Sequence, residues 1–272
     1  MKNNKFAICY DFDDTLLPYN MQDNELIPSF GINKDDFWQE VIEYAKDYNA
    51  DTVLVYMLKI IEKAAASKNV KLTKETLAGC GRKIAFFNGV KTWFERINFY
   101  GKKLGVEVEH YIISSGLKEM IEGAEIAGEF KQIYASSYIY DQNGEPKWPA
   151  FAVNYTNKTQ FLFRISKGCF DINNNREVNK LTDKKDIYVP FTNMVYIGDG
   201  FTDVPCMKLL KDKGGNSIAV YNQNSSQKKH EAETLLKDKR VNFIAPADYG
   251  ENSELEKYIK KILNSDNITP KL

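Results

Sequence analysis

KFAICYDFDDTL, residues 5–16, starts as an unbroken apolar run and ends in three aspartates and a threonine. The run reads as a buried strand, which delivers Asp11 and Asp13 at its carboxyl end, where open α/β sheets bind ligands. Side chains at i and i+2 of an extended segment lean the same way, so the two carboxylates share one small volume and repel each other. No basic residue lies within DFDDT, residues 11–15, to neutralise them. The pattern therefore points to a divalent cation with oxygen ligands, Mg²⁺ foremost. The alternative is structural, with Asp13 and Asp14 capping a following helix while Asp11 faces solvent.

The design recurs further along. NMVYIGDGFTD, residues 193–203, is a second apolar strand ending in Gly198, Asp199 and Gly200, with Asp203 one helical turn later. Glycines on both sides of Asp199 suggest a sharp backbone turn and close approach to a ligand. A third strand, HYIISSGL at 110–117, ends in Ser114, Ser115 and Gly116 just before a helix-compatible segment. Hydroxyls and amide N–H groups at a helix N-terminus bind phosphate, although serines there also serve as caps. Lys158, early in a helix-compatible stretch (TNKTQFLFRI), is a fourth candidate, with Lys167 as the other lysine of that segment.

Taken in order, DFDDT, IISSG, a helix-borne lysine and GDGFTD resemble the four motifs of the haloacid dehalogenase superfamily of phosphohydrolases, in the branch that includes phosphoserine phosphatase. The resemblance implies an α/β, Rossmann-like parallel sheet with helices on both faces, plus an inserted α-helical cap between the first and second motifs. It implies that Asp11 is the nucleophile, that Asp13 is the general acid and base, and that Ser114, Ser115, Gly116 and Lys158 hold the phosphate. Mg²⁺ would be bound by the Asp11 carboxylate, the Asp13 backbone carbonyl and the Asp199 carboxylate, with Asp203 just outside, orienting a metal-bound water or Lys158. The implied function is a Mg²⁺-dependent phosphatase for a small phosphorylated metabolite, acting through an aspartyl-phosphate. A phosphotransferase or mutase on the same scaffold, or a non-catalytic phospho-ligand-binding module, are the alternatives.

Composition permits this reading. The 272 residues are 43% apolar, enough for a substantial core with an insert. Lys plus Arg equals Asp plus Glu at 37 each, so no global field favours nucleic acid or acidic membranes. Cys9, Cys80, Cys169 and Cys206 lack metal-ligand spacing and read as reduced thiols of a cytoplasmic protein. MKNNKFAICYDF shows no signal-peptide pattern, and no apolar run is long enough to span a bilayer.

The motifs divide the chain into a discontinuous core, 1–16 and 89–272, and a helical cap, 17–88. In the cap, NKDDFWQEVIEYAKDYN places Phe37, Val41, Ile42 and Ala45 on one helix face with Asn33 as N-cap. DTVLVYMLKIIEKAAA is apolar nearly all round and predicts a helix sandwiched between others; a shorter helix falls near KETLAGCG. Asn88-Gly89 marks re-entry into the core, ahead of an amphipathic helix. Beyond the second motif, Asn143-Gly144 predicts a hairpin, residues 169–191 a polar surface insertion, and SIAVYN and VNFIAPADY further parallel strands with helical partners. The closing SDNITPKL, 265–272, reads as frayed.

In phosphoserine phosphatase-like proteins, a glutamate after the first motif and a basic residue of the cap recognise the amino acid. This chain has Asn20 near the first position and no arginine in 51–66, which argues against phosphoserine. Arg82 and Lys83 are either contacts for an anionic substrate or a solvated pair. Phe86 and Phe87 either line a pocket or pack in the core.

Overall fold

Side chains alternate along β1 (Lys5–Tyr10), with Phe6, Ile8 and Tyr10 buried in one apolar cluster and Ala7 and Cys9 in another. A strand buried on both faces must sit inside a layered sheet. The structure, a computed structural model, describes residues 4–67 and 70–265, so of the closing stretch only Ser265 lies among the described residues.

The other strands are β2 (Glu107–Leu117), β3 (Gln132–Tyr140), β4 (Pro146–Phe151), β5 (Met194–Gly198), β6 (Asn216–Tyr221) and β7 (Phe243–Pro246). They form one seven-stranded sheet of order β4-β3-β2-β1-β5-β6-β7. All pairings are parallel except β3 with β4, the hairpin foreseen at Asn143-Gly144, where Gly144 takes φ +75°. Strand order reverses at β1, so the carboxyl ends of β1, β2 and β5 lie side by side at the switch point.

Between β1 and β2 run α1 (Leu26–Ser29), α2 (Lys34–Asp47), α3 (Thr52–Ala66), α4 (Lys74–Gly81) and α5 (Val90–Lys103). Then come α6 (Lys118–Gly123), α7 (Lys158–Lys167), α8 (Asn175–Asn179), α9 (Val204–Asp212), α10 (Ser226–Lys237) and α11 (Glu254–Leu263). Trp93, Phe94 and Ile97 of α5 join Leu255 and Ile259 of α11 on one sheet face, while Phe161 and Leu162 of α7 join Met207 and Leu210 of α9 on the other. The sheet is thereby covered on both sides.

Asn33 caps α2 by accepting from Asp35 N–H at 2.7 Å, and Asp51 caps α3 by accepting from Val53 N–H at 2.8 Å. Two sequence expectations need correction here. Ile42 is 56% exposed while Phe37, Val41 and Ala45 are buried, because the packed face of α2 follows the 3.6-residue period away from it. Helix α3 is not enclosed all round: Leu54 and Leu58 face outward, although Val53, Met57 and Ile60 are buried. α4 packs on α6 with backbone touching backbone, since a Cβ on Gly81 would lie 1.9 Å from Met120 O and one on Gly123 2.2 Å from Ala78 O.

The segment 169–191 lies on the surface around α8 but not at its ends, where Val189 is fully buried and Phe170, Tyr188 and Phe191 pack against the core, and the rest is tied down from below. Arg164 donates to the Asp171 and Ile172 carbonyls, and Lys167 to those of Val178 and Lys180. The Tyr188 hydroxyl donates to buried Glu109, which also pairs with Lys5 and Lys131. Burial alone would raise the Glu109 carboxyl; its Lys131, Lys5 and Tyr partners outweigh that and hold it down at about 2. All four cysteines are free, and no helix among the described residues is long and apolar enough to cross a membrane.

Candidate active site

β1 extends one residue past its ladder as Asp11 N–H donates to Ile197 O at 2.9 Å, which sets Asp11 beside the end of β5. The chain then turns tightly, with Asp14 in the left-handed region at φ 53°. From the end of β5 come Asp199 and, after a short 3₁₀ turn, Asp203. Carboxylate oxygens of Asp11, Asp199 and Asp203, all buried, lie within 4.8 Å of one another.

Lys158, the first residue of α7 and 1% exposed, reaches Asp203 Oδ1 at 2.8 Å and Asp11 Oδ1 at 3.1 Å. Burial would lower the Lys158 ammonium, but the carboxylates of Asp11 and Asp203 outweigh it and push it above its usual range. Lys167 instead holds the surface insertion and lies outside the site. Asp203 Oδ1 also accepts from the Tyr196 hydroxyl at 2.7 Å.

The glycines of the second acid motif act differently from the sequence expectation. Neither Gly198 nor Gly200 has a positive φ. Gly198 is needed for room: a Cβ there would lie 2.4 Å from Asp203 Oδ2. Nothing lies within 4 Å of a Cβ built on Gly200.

Ser114, Ser115 and Gly116 likewise sit on a strand rather than at a helix N-terminus. Ser114 pairs with Ala135 and Leu117 with Ser136, so residues 115 and 116 bulge out of the ladder, and α6 begins only at Lys118. Ser114 Oγ accepts from Gly116 N–H at 3.0 Å, and buried Ser115 Oγ has no protein partner. The bulge is braced from above, because the Tyr56 hydroxyl of α3 donates to Ser115 O at 2.6 Å and the Met21 side chain covers Gly116.

Asp13 Oδ1 accepts from Met21 N–H at 2.8 Å. Burial and the Asp11 charge raise its carboxyl well above the usual range, against the lowering effect of Met21 N–H. Asp11 is raised by burial and by Asp203, with Lys158 opposing; Asp199 is raised by burial and Asp203 to about 6, with Lys228 opposing. The site therefore holds more carboxylate than its lysines neutralise, and buried Asp203 Oδ2 has no hydrogen-bond partner. An all-oxygen donor set with an orphaned buried oxygen fits a hard divalent cation. The grouping takes in Asp203, expected just outside, and leaves the Asp13 carboxylate on Met21.

Sequence reasoning missed Lys228. On the first turn of α10 it donates to Asp199 Oδ2 at 2.8 Å and Asp14 Oδ2 at 3.1 Å. In the sequence it is one lysine of a charged helix; the only signal was that β6 is another parallel strand feeding a helix at the same edge. Arg82 and Lys83 pair with Glu75 and Glu25 at the surface, and Phe86 packs edge-on against Phe12, so these residues do not border the site cavity. That cavity is about 490 Å³ and is walled by Trp38, Ile42 and Tyr56 above and by Tyr155 and Phe201 beside the acids.

A switch-point site with acids on two central strands and a lysine opening a helix defines a hydrolase scaffold that comparison with known proteins identifies. The model of the haloacid dehalogenase-like hydrolase family matches residues 8–208, and the chain belongs to that family. An uncharacterized protein of Borreliella burgdorferi is 28% identical over 284 residues, covering 95% of this chain and 96% of that protein. Among solved structures, a haloacid dehalogenase family hydrolase of Salmonella enterica serovar Typhi superposes with TM-score 0.60 at 16% identity, covering 97% of this chain and 72% of the other. A phosphoserine phosphatase in apo form gives 0.57 at 16%, covering 94% and 98%. Cytosolic 5'-nucleotidase IIIB bound to cytidine gives 0.53 at 11%, covering 96% and 86%. At such identities these likenesses establish the α/β fold.

Proposed function

We propose that the chain is a Mg²⁺-dependent phosphatase that hydrolyses a small phosphate monoester through an aspartyl-phosphate on Asp11. The observation that carries this is the pairing of buried Asp11 with Lys158 at 3.1 Å, next to Asp199 and Asp203 and two residues from Asp13, whose carboxyl is raised by burial and by the Asp11 charge. An Asp11 carboxylate oxygen attacks phosphorus in line, and the P–O ester bond breaks. Asp13 gives its proton to the departing alkoxide. In the second half, the Asp13 carboxylate takes a proton from water, whose oxygen attacks the same phosphorus and releases Asp11 and inorganic phosphate.

Lys158 neutralises charge on Asp11 and on the transferring phosphoryl group, while the Ser114 and Ser115 hydroxyls donate to its non-bridging oxygens and the Gly116 N–H, which donates to Ser114 Oγ, orients that hydroxyl. Asp203 holds Lys158. Asp11, Asp199 and Asp203, with the Asp13 carbonyl, are the groups that would hold Mg²⁺. Bound there, the ion supplies positive charge to the phosphoryl oxygens. We place the core at 1–16 and 89–272, with 17–88 as a cap that excludes water through the Tyr56 and Met21 contacts. Four free thiols suit the cytoplasm.

The test is hydrolysis of an aryl phosphate by the purified protein with Mg²⁺ and with excess chelator. Wild type should turn over only with the metal, and Asp11→Asn should lose at least about 10³-fold in kcat while Asp13→Asn loses about 10²–10⁴-fold. Metal-independent turnover, or an active Asp11→Asn, would refute the proposal.

A further inference from the structure

Beyond the phosphate end, the cavity presents rings and aliphatic carbon. Trp38 and Tyr56 meet edge to face with centroids 5.8 Å apart. Their polar atoms are already engaged, Trp38 Nε1 by Asp23 Oδ1 at 2.7 Å and the Tyr56 hydroxyl by Ser115 O. Ile42 on the same wall and Phe201 and Tyr155 beside the acids are 56%, 60% and 49% exposed, large apolar groups gathered at one cavity. Such a concentration marks a binding surface for apolar matter.

The charges exclude a second class of substrate. Among the described residues that border the cavity, the cations are Lys158, held by Asp11 and Asp203, and Lys228, held by Asp14 and Asp199. Asp14 and Glu231 add carboxylates on the same side. A carboxylate on the leaving group would enter this field with no available cation and would lose its water for nothing. An uncharged ring would cover the exposed apolar wall and meet no such penalty.

Resting on the phosphatase reading, we infer that the leaving group is an alcohol that carries a flat apolar face of aromatic size and no carboxylate, and that carboxylate-bearing phosphomonoesters such as phosphoserine are excluded. Buried Gln22, whose Oε1 has no hydrogen-bond partner, lines the same cavity and is a polar group placed to meet a hydroxyl or amide on that ring system.

The test compares benzyl phosphate, O-phosphoethanolamine and O-phosphoserine, all alkyl esters, with full-length protein and Mg²⁺. The kcat/KM for benzyl phosphate should exceed that for phosphoserine by at least about 30-fold, since each factor of ten needs only about 1.4 kcal/mol. Phe201→Ala and Ile42→Ala, at exposed positions that leave folding intact, should each lower benzyl phosphate kcat/KM about 5–10-fold through KM, with the inhibition constant of inorganic phosphate changed less than twofold. Phosphoserine or phosphoethanolamine matching benzyl phosphate, or variants without effect on KM, would overturn the inference. Calorimetric binding of phenethylphosphonate against 2-amino-4-phosphonobutanoate separates the two levels of the account. Tighter phenethylphosphonate binding without turnover of any ester sustains the pocket inference and defeats the phosphatase reading. Turnover that depends on Asp11 but favours phosphoserine does the reverse.

Discussion

Gly198 has no side chain because Asp203 fills the space a Cβ would take, and Asp203 in turn holds Lys158. Gly198→Ala should therefore push Asp203 off Lys158, lowering kcat about 100-fold and stability by about 1–3 kcal/mol as an overpacked core position does. An assay beside a denaturant melt checks both, and an active, unshifted variant would sever this link. Protonation of the acids competes with a cation. Asp199 is raised to about 6, and Asp11 is raised by burial and Asp203, so both carry protons further up the pH scale than free carboxylates do. The Mg²⁺ dissociation constant measured by calorimetry should fall as pH rises from 6 to 8; a constant unchanged over that range would show that the ion binds elsewhere. At this scale the sequence was most informative where a polar residue ends an apolar run, as at Asp11, Ser114 and Asp199. Lys228 and Tyr196 escaped because a helix lysine and a strand tyrosine carry no mark of which distant carboxylate they will meet.

Elements were legible where a cap and the helical period agreed, as for α2 behind Asn33. The bulge at Ser115 and Gly116 was not, since it depends on how β2 registers against β3, and residue types alone do not fix that register. Nor was the α4–α6 contact, which a glycine permits without announcing. Two glycines of α4 give opposite expectations there. Gly81→Ala must force α4 from the Met120 carbonyl and should cost about 1–3 kcal/mol. Gly79→Ala meets only the Arg82 side chain at 3.6 Å and should be neutral or stabilising by up to about 1 kcal/mol. Chemical denaturation of the pair decides it, and equal effects would mean the helices do not pack as described.

Across the whole molecule, a buried polar chain joins α5 to the centre of the sheet. Trp93 Nε1 donates to the Tyr10 hydroxyl, which donates to His110 Nδ1 at 2.9 Å, and His110 Nε2 donates to Asn98 Oδ1 at 2.9 Å. Burial pushes the His110 imidazole down to about 3, so the folded state keeps it neutral where the unfolded chain, near 6.5, takes up a proton. Its contribution to stability is complete above about 6.5 and is lost as pH falls toward 3, at up to about 1.4 kcal/mol per pH unit. Glu109, held at about 2, acts in the same sense over a lower window, from its ordinary 4.5 downward. Of the two histidines, His110 should show no imidazole titration by NMR above pH 4, and a midpoint near 6.5 would contradict the packing.

The layered sheet and its reversal at β1 bring three strand ends together; the parallel sheet was readable from strands alternating with helices, while the strand order was not. The cavity walls were not, because Trp38, Tyr56, Tyr155 and Phe201 come from four separate stretches whose meeting is set by tertiary packing. The central claim is that Asp11 carries the phosphoryl group between substrate and water. Acid-quenching the enzyme within its first turnovers and mapping its peptides by mass spectrometry tests this directly. The peptide containing Asp11 should carry one phosphoryl group in wild type and none in Asp11→Asn. Phosphate found on another residue, or full single-turnover hydrolysis by Asp11→Asn, would contradict the account.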